Sequence, residues 1–408
     1  MRDLLLDIPP KDYDFTTAAT PTQMLEIFEH HGIRTLEIGK AFGTIGVLID
    51  SQVYEITTFR SEGDYRDSRR PSSVSFASTL LEDTKRRDFT INALAYHPTR
   101  GLIDYHGGRV DLRAGILRAI GAPKERFGED ALRILRAVGF VSRFGLRVEE
   151  GTRAAMRECA PLLFHISGER ITSELEKILL GRFWLRALEE FGGILQRVLG
   201  RGLDLSFCAS DFSRSSASHS ALAPRLDSSH SDSSPATAPL YAESHFAVST
   251  PLDSLDLPAS FCLRLAHLLH PATPSDLPAS LILSRAQRAE LETYLHYLTL
   301  PLPRSEREIC HMLRTSPKAS APVPDYLATF LSPYPSARAL LDSALARALP
   351  CRTRDLALSG ADLLGFPPAL RGEMLTRLLI LVIDGELENS PHALRAYLKA
   401  TYGEMDSH

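Results

Sequence analysis

Lys11-Asp12-Tyr13-Asp14-Phe15 sets two carboxylates one residue apart. In an extended chain alternate side chains share a face, so Asp12 and Asp14 point the same way. Paired hard-oxygen donors, with water and phosphate oxygens completing the shell, suit Mg²⁺, and ions held there would serve phosphoryl transfer. Glu55, inside Tyr54-Glu55-Ile56-Thr57-Thr58-Phe59-Arg60, is placed to add a third carboxylate. A turn or a solvated strand edge explains the same acidic residues without chemistry, and an Asp-x-Asp pair alone favours that reading.

Two further clusters have the chemistry of nucleotide binding. In Arg86-Arg87-Asp88-Phe89-Thr90-Ile91-Asn92-Ala93 the adjacent arginines can neutralise triphosphate charge through bidentate guanidinium contacts. Asp88 and Asn92, four apart, share a face on a helix and could bond a ribose. The structural reading is a basic helix start capped by Asp88. In Glu129-Asp130-Ala131-Leu132-Arg133, Asp130 and Arg133 lie three apart at the start of an amphipathic run. A carboxylate accepts from an exocyclic amino group and Arg donates to ring nitrogens and carbonyls, so the two suit a Watson–Crick edge. An exposed intrahelical ion pair is the plain alternative.

These residues need elements to hold them. Ile33–Ile38, Ile45–Ile49 and Val53–Phe59 read as strands, bounded by Gly32, Gly43 and Asp50-Ser51. Pro21–His31 reads as a short helix packed on them. Beyond Pro123 the pattern turns helical, over Glu129–Phe144, Ile171–Leu180, Phe261–Leu269, Arg285–Leu298 and Leu370–Ile383, with no convincing strand. Ser206–Ser234 holds twelve serines in twenty-nine residues and reads, with the stretch to about Leu257, as an insertion unable to bury a core.

Composition narrows the class. A chain of 408 residues, 44% hydrophobic and 24% charged, is expected to fold as several globular domains. No apolar run approaches the ~20 residues that span a bilayer, and the N-terminus lacks a signal-peptide pattern, so the expected place is the cytoplasm. The five cysteines, without a CxxC pair, read as buried thiols rather than metal ligands or disulfides. A net charge of −4 does not exclude a nucleic-acid partner, because binding follows the local field, and residues 100–157 hold twelve Lys/Arg against seven Asp/Glu.

Taken in order, the motifs resemble those of the class II tRNA nucleotidyltransferase and bacterial poly(A) polymerase family. Arg2-Asp3-Leu4-Leu5-Leu6 followed by Pro10 to Thr17 is similar to the family's metal motif. Gly39…Phe42-Gly43-Thr44 and Glu55 to Arg60 resemble the next strands of its catalytic sheet. Tyr65 to Pro71 resembles its flexible loop, and Arg86 to Ala93 its ribose-recognition motif. Glu129 to Arg133 is similar to its base-recognition motif, Ser167 to Ile171 to a later helix start. The likeness is dense from residue 2 to about 183 and returns faintly at Leu379–Asn389.

The resemblance implies an α+β protein: a nucleotidyltransferase-type mixed-sheet head over 1–121, then an all-helical neck over 122–185, body over 186–300 (insertion about 206–257) and tail over 301–408. It implies Asp12, Asp14 and Glu55 as catalytic residues, with Asp12 and Asp14 holding Mg²⁺. It implies Arg2, Arg86, Arg87, Asp88, Asn92, Asp130, Arg133 and Arg136 as nucleotide-binding residues. The implied reaction adds C, C and A to the tRNA 3′ end from CTP and ATP, with pyrophosphate release and no template. No membrane or protein partner is expected. A-only addition and poly(A) tailing are the neighbouring activities, and an inactive RNA-binding homologue is the non-enzymatic alternative. The loop at Tyr65–Pro71 speaks against CC-only addition, while Ala131, where poly(A) polymerases tend to have Pro, favours CCA addition. One departure stands out: the family's Gly-Gly turn before the Arg-Asp-Leu-Leu run is missing, and Met1 stands where Val is usual. The expectation is a longer native chain, with an internal GUG valine codon taken for a start.

Overall fold

The computed structural model describes residues 1–62, 74–200, 259–270, 276–317, 323–358 and 360–403. The loop-like motif at 65–71 and the serine-rich stretch at 206–257 lie outside the described residues. The chain divides into two compact units, one containing Met1–Gly200 and the other lying within Asp253–His408.

The first unit opens with α1 (Arg2–Leu5) and strand β1 (Phe15–Thr17), followed by α2 (Pro21–His30). Thr20 caps α2 in a reciprocal box with Gln23, and Pro21 pre-sets its first turn. Strands β2 (Thr35–Leu36), β3 (Thr44–Ile49) and β4 (Gln52–Thr58) complete a four-stranded mixed sheet in the order β1-β4-β3-β2. β1 runs parallel to β4 and the other pairs are antiparallel. Asp50 and Ser51 both take positive φ, 48° and 65°, which closes β3–β4 as a two-residue hairpin. Ile45 and Val47 on one sheet face are buried, and α2, with its buried Met24, packs on β3 and β2. Glu55, on the opposite face, is exposed.

Two short hairpins follow, β5 (Arg60–Glu62) with β6 (Val74–Phe76) and β7 (Ala95–His97) with β8 (Gly101–Ile103). Between them lies α3 (Leu80–Lys85), after them α4 (Gly108–Arg113). Thr79 and Glu82 form a capping box on α3. We expect Thr79→Ala to cost about 1 kcal/mol, read as a lowered denaturant midpoint.

The rest of the unit is helical: α5 (Pro123–Glu129), α6 (Leu132–Phe144), α7 (Glu150–Cys159), α8 (Gly168–Leu179) and α9 (Trp184–Leu199). Ile134, Leu135 and Val138 of α6 are buried, as are Ile178 of α8 and Leu188 of α9, in a core where α6 packs on both α8 and α9. Three sequence expectations need correcting. The helix expected from Glu129 starts only at Leu132, and Glu129 ends the preceding α5, because Asp130 is extended (φ −149°, ψ 101°) and its carboxylate accepts from Leu132 N at 3.1 Å, a local turn that competes with the helix. A strand does occur after Pro123: β10 (Arg147–Val148) pairs in parallel with β9 (Ile116–Leu117). Asp88 and Asn92 share no α-helix. Phe89 is extended and bridges Ala119, and only Thr90–Asn92 forms a 3₁₀ turn.

Among the described residues the second unit is helical: α10 (Phe261–Leu269), α11 (Arg285–Leu298), α12 (Glu306–Thr315), α13 (Val323–Phe330), α14 (Pro335–Ala346), α15 (Pro368–Ile383) and α16 (Pro391–Tyr402). Ser260, Ser284, Ser305 and Ser390 cap four of these helices, each accepting from a backbone N–H in the first turn. Leu263, Leu291, Tyr294, Ile309, Leu327, Leu341, Leu378 and Leu394 form its buried side. The free thiols of Cys310 and Cys351 are buried with their sulfurs 2.9 Å apart, and Cys262 is buried as well. A hydrogen bond from Cys351 draws the Cys310 thiol down and pushes its own up. No helix among the described residues is long and apolar enough to cross a membrane.

Candidate active site

Asp12 and Asp14 precede β1 in irregular, exposed chain. The parallel ladder begins where Phe15 pairs with Ile56, so Asp14 and Glu55 are the residues that precede this first pair on the two neighbouring segments. Gly46 lies opposite Glu55 on β3, and the side chains of Ile38, Val53 and Leu36 close over it. Neither Asp12 nor Asp14 takes a hydrogen bond or ion pair from a described residue, and both are exposed. Among the described residues no group of three His, Cys, Asp or Glu closes a cage for a metal ion. The donor set fits Mg²⁺ nonetheless: hard carboxylate oxygens without protein partners, with the remaining positions left for water and triphosphate oxygens.

The arginine pair is held from beneath. Asp83, fully buried on α3, accepts from Arg86 Nε at 3.0 Å and Nη2 at 2.7 Å and from Arg87 Nη2 at 3.3 Å. It also accepts from Arg60 N at 3.3 Å. Arg87 donates to Asn92 O at 3.2 Å while its side chain stays about one-third exposed. Asp83 was missed in the sequence, although its place three and four residues before the arginines is the spacing of a helical ion pair.

Asp88 is 8% exposed and is bonded through both of its oxygens. One oxygen accepts from Phe89 N and Asn92 Nδ2, each at 2.8 Å. The other accepts from Arg136 Nε at 2.8 Å and Nη2 at 2.7 Å. A carboxylate offers about four acceptor positions, so a ribose hydroxyl reaching Asp88 must displace one of these donors. Burial lowers the Arg136 guanidinium, but the Asp88 charge and hydrogen bond outweigh it and hold Arg136 above its ordinary value, with Glu174 and Asp130 adding smaller pulls.

Arg2 completes the cluster from α1. Its Nη1 donates to Asn92 Oδ1 at 2.5 Å and its Nε to Asp3 at 2.8 Å. The guanidinium carbon lies 5.0 Å from the Phe140 ring centre and 4.8 Å from that of Phe144. Burial lowers Arg2 from its ordinary value against the pull of Asp3. Asp3 in turn binds Arg143 at 2.7 Å.

Asp130 and Arg133 are arranged differently from the sequence expectation. Arg133 is 8% exposed and bonds Glu129 Oε2 at 2.7 Å, Arg126 O at 3.1 Å and Arg86 O at 3.1 Å. Asp130 bonds Arg170 Nη2 at 2.7 Å, so the ion pairs are Glu129–Arg133 and Asp130–Arg170. The structure brings Arg2, Asn92, Asp88 and Arg136 into one bonded set, and joins Arg133 to the arginine pair through Arg86 O. It leaves Asp12, Asp14 and Glu55 as a separate acidic rim.

A mixed sheet with an acidic rim, followed by helices that reach back to an arginine-rich turn, defines a nucleotidyltransferase-type head with a helical remainder. Residues 1–118 match the family described as the poly(A) polymerase head domain, and residues 145–192 match the probable RNA- and SrmB-binding site of polymerase A. Over these two stretches the chain is similar to the poly(A) polymerase family. The CCA-adding enzyme of Geobacillus stearothermophilus is 47% identical over 188 residues, 46% of each chain. That of Streptococcus gordonii is 49% identical over 189 residues, again 46% of each. The matched stretch thus spans about half the length of these relatives. The solved structure of the Bacillus stearothermophilus CCA-adding enzyme in complex with CTP aligns with 98% of this chain and 90% of its own, at a TM-score of 0.70 and 29% identity. The Thermotoga maritima CCA-adding enzyme complexed with tRNA shares the fold, at a TM-score of 0.60 and 20% identity.

Proposed function

We propose that this chain adds C, C and A to the 3′ end of tRNA from CTP and ATP, without a nucleic-acid template. The observation that carries the reading is the 47–49% identity to CCA-adding enzymes over a stretch of 188 to 189 residues, together with the single bonded cluster that joins Arg2, Asn92, Asp88 and Arg136. In the reaction the tRNA 3′-hydroxyl attacks the α-phosphorus, the bond to the bridging oxygen breaks, and pyrophosphate leaves as the hydroxyl proton is lost. Asp12 and Asp14 are the residues to hold Mg²⁺, with Glu55 beside them. Bound there, one or two such ions would neutralise the triphosphate and favour ionisation of the attacking hydroxyl. Arg86 and Arg87, pre-oriented by Asp83, meet phosphate oxygens, and Asp88 with Asn92 meets the ribose. Asp130 and Arg133 read the base edge once they exchange Arg170 and Glu129 for it. The second unit would grip the tRNA. Such a reaction needs no protein partner, and its substrate assigns it to the cytoplasm.

The test is incorporation of labelled CTP and ATP into tRNA lacking the terminal A, the CA or the whole CCA, with Mg²⁺. Ordered addition of both nucleotides, stopping after A, is the expected result. ATP alone added to the CC-ending tRNA would make this an A-adding enzyme, and long A tails a poly(A) polymerase. No incorporation by folded protein would overturn the reading in favour of an RNA-binding homologue.

A further inference from the structure

The bonds around Asp88 form a chain that starts and ends on one helix. Arg143 of α6 holds Asp3, Asp3 holds Arg2, Arg2 holds Asn92, Asn92 holds Asp88, and Asp88 holds Arg136, back on α6. Arg2 is an inner link, bonded to both Asp3 and Asn92. Its guanidinium lies against Phe140 and Phe144, whose near-parallel rings (12°) sit one helical turn apart on α6 with centres 6.2 Å apart. Phe140 also meets Phe89, the neighbour of Asp88, edge-on at 5.7 Å. A guanidinium seated on aromatic faces and largely out of water is held in a fixed plane.

The consequence falls on the Asn92 amide. Arg2 Nη1 claims Oδ1, which turns Nδ2 toward Asp88 and fixes which end of the amide faces the carboxylate. Without Arg2 in place, Oδ1 loses its donor and the amide is held only by the Nδ2 bond to Asp88. We infer that Phe140 and Phe144 are positioning residues: by seating Arg2 they fix the Asn92 amide and hence the Asp88 carboxylate for reading the ribose 2′-hydroxyl. This rests on the proposed function and assigns Arg2 a positioning role rather than a direct contact with the nucleotide.

The test compares Phe144→Leu, which keeps an apolar side chain without the ring, with Phe144→Tyr, which keeps the ring. Equilibrium dialysis of labelled CTP and 2′-deoxy-CTP against the full chain gives the ratio of affinities, and tRNA extension gives KM and kcat. Phe144→Leu should lose roughly tenfold in preference for CTP over its deoxy form, the scale of one desolvated cation–π contact. KM for CTP should rise and kcat at saturation change less, and Phe144→Tyr should restore the ratio. An unchanged ratio in Phe144→Leu would overturn the inference. So would an equal loss in both variants accompanied by a lowered melting temperature, which would make the residue plain packing. A wild-type chain that prefers CTP in dialysis but extends no tRNA would sink the proposed function and leave this inference to be decided by the same binding ratio. A wild-type chain with no preference would overturn it.

Discussion

Replacing Asp12 or Asp14 by Asn should remove nucleotide addition by roughly 10²–10³-fold or more, the scale on which a preorganised charge-stabilising group acts. The fold should not notice. Both side chains are exposed and bonded to no described residue, and they stand outside the sheet hydrogen bonding that begins at Phe15. A melting temperature within about a degree of wild type, with turnover lost, is therefore the expected pair of results. Glu55→Gln should cost less, because Glu55 stands one strand away from the pair. If either aspartate variant kept wild-type turnover at saturating Mg²⁺, the acidic rim would not be the reacting centre.

The second large effect is mechanical. A Cβ on Gly108 would lie 2.1 Å from Thr90 O and 2.7 Å from Thr90 C. That backbone cannot retreat: Thr90 N is bonded to Arg118 O at 3.0 Å, its hydroxyl to Asp111 at 2.7 Å, and its carbonyl accepts from Ala93 N at 3.1 Å. Gly108 is itself pinned, since Asp104 accepts from Gly108 N at 2.9 Å and Arg109 N at 2.8 Å. Gly108→Ala should therefore cost about 3 kcal/mol or more, above the usual range for overpacking, because backbone meets backbone. It should also displace the turn that carries Asn92, so nucleotide affinity should fall with stability. Gly128→Ala in α5, where a Cβ meets nothing within 4 Å, is the control and should be neutral or slightly stabilising. Chemical unfolding of the two variants side by side separates these outcomes.

Local signals were legible where they were complete in themselves. Phe261–Leu269 and Arg285–Leu298 have the ends their pattern predicts, because a serine cap marks each start and the apolar spacing runs unbroken. The β3–β4 hairpin was readable from Asp50-Ser51 for the same reason. The break at Asp130 was not, since apolar spacing is blind to a side chain that bonds its own backbone two residues on. The turn at Asp88–Asn92 was misread as helical because the spacing of four that places two side chains together also arises when an extended residue leads into a 3₁₀ turn. What selects the latter is pairing with residues 118–120, a tertiary fact. The residues proposed for phosphate, ribose and base were visible as residue types in order. Their bonding was not, because Arg143 and Asp3 meet across 140 positions of sequence and no window contains both.

The break between α5 and α6 divides the candidate nucleotide-binding residues of this region into two kinds. Arg133 and Arg136 ride on one continuous helix, with a rise of about 4.5 Å between them set by the helical repeat. Asp130 stands two residues ahead of that helix, on extended backbone between two rigid cylinders. In the proposed reaction this makes a vice with one fixed jaw and one adjustable jaw. A pyrimidine and a purine can be gripped in turn by resetting a single residue's torsions, while the arginines and the ribose contacts stay where the helix puts them.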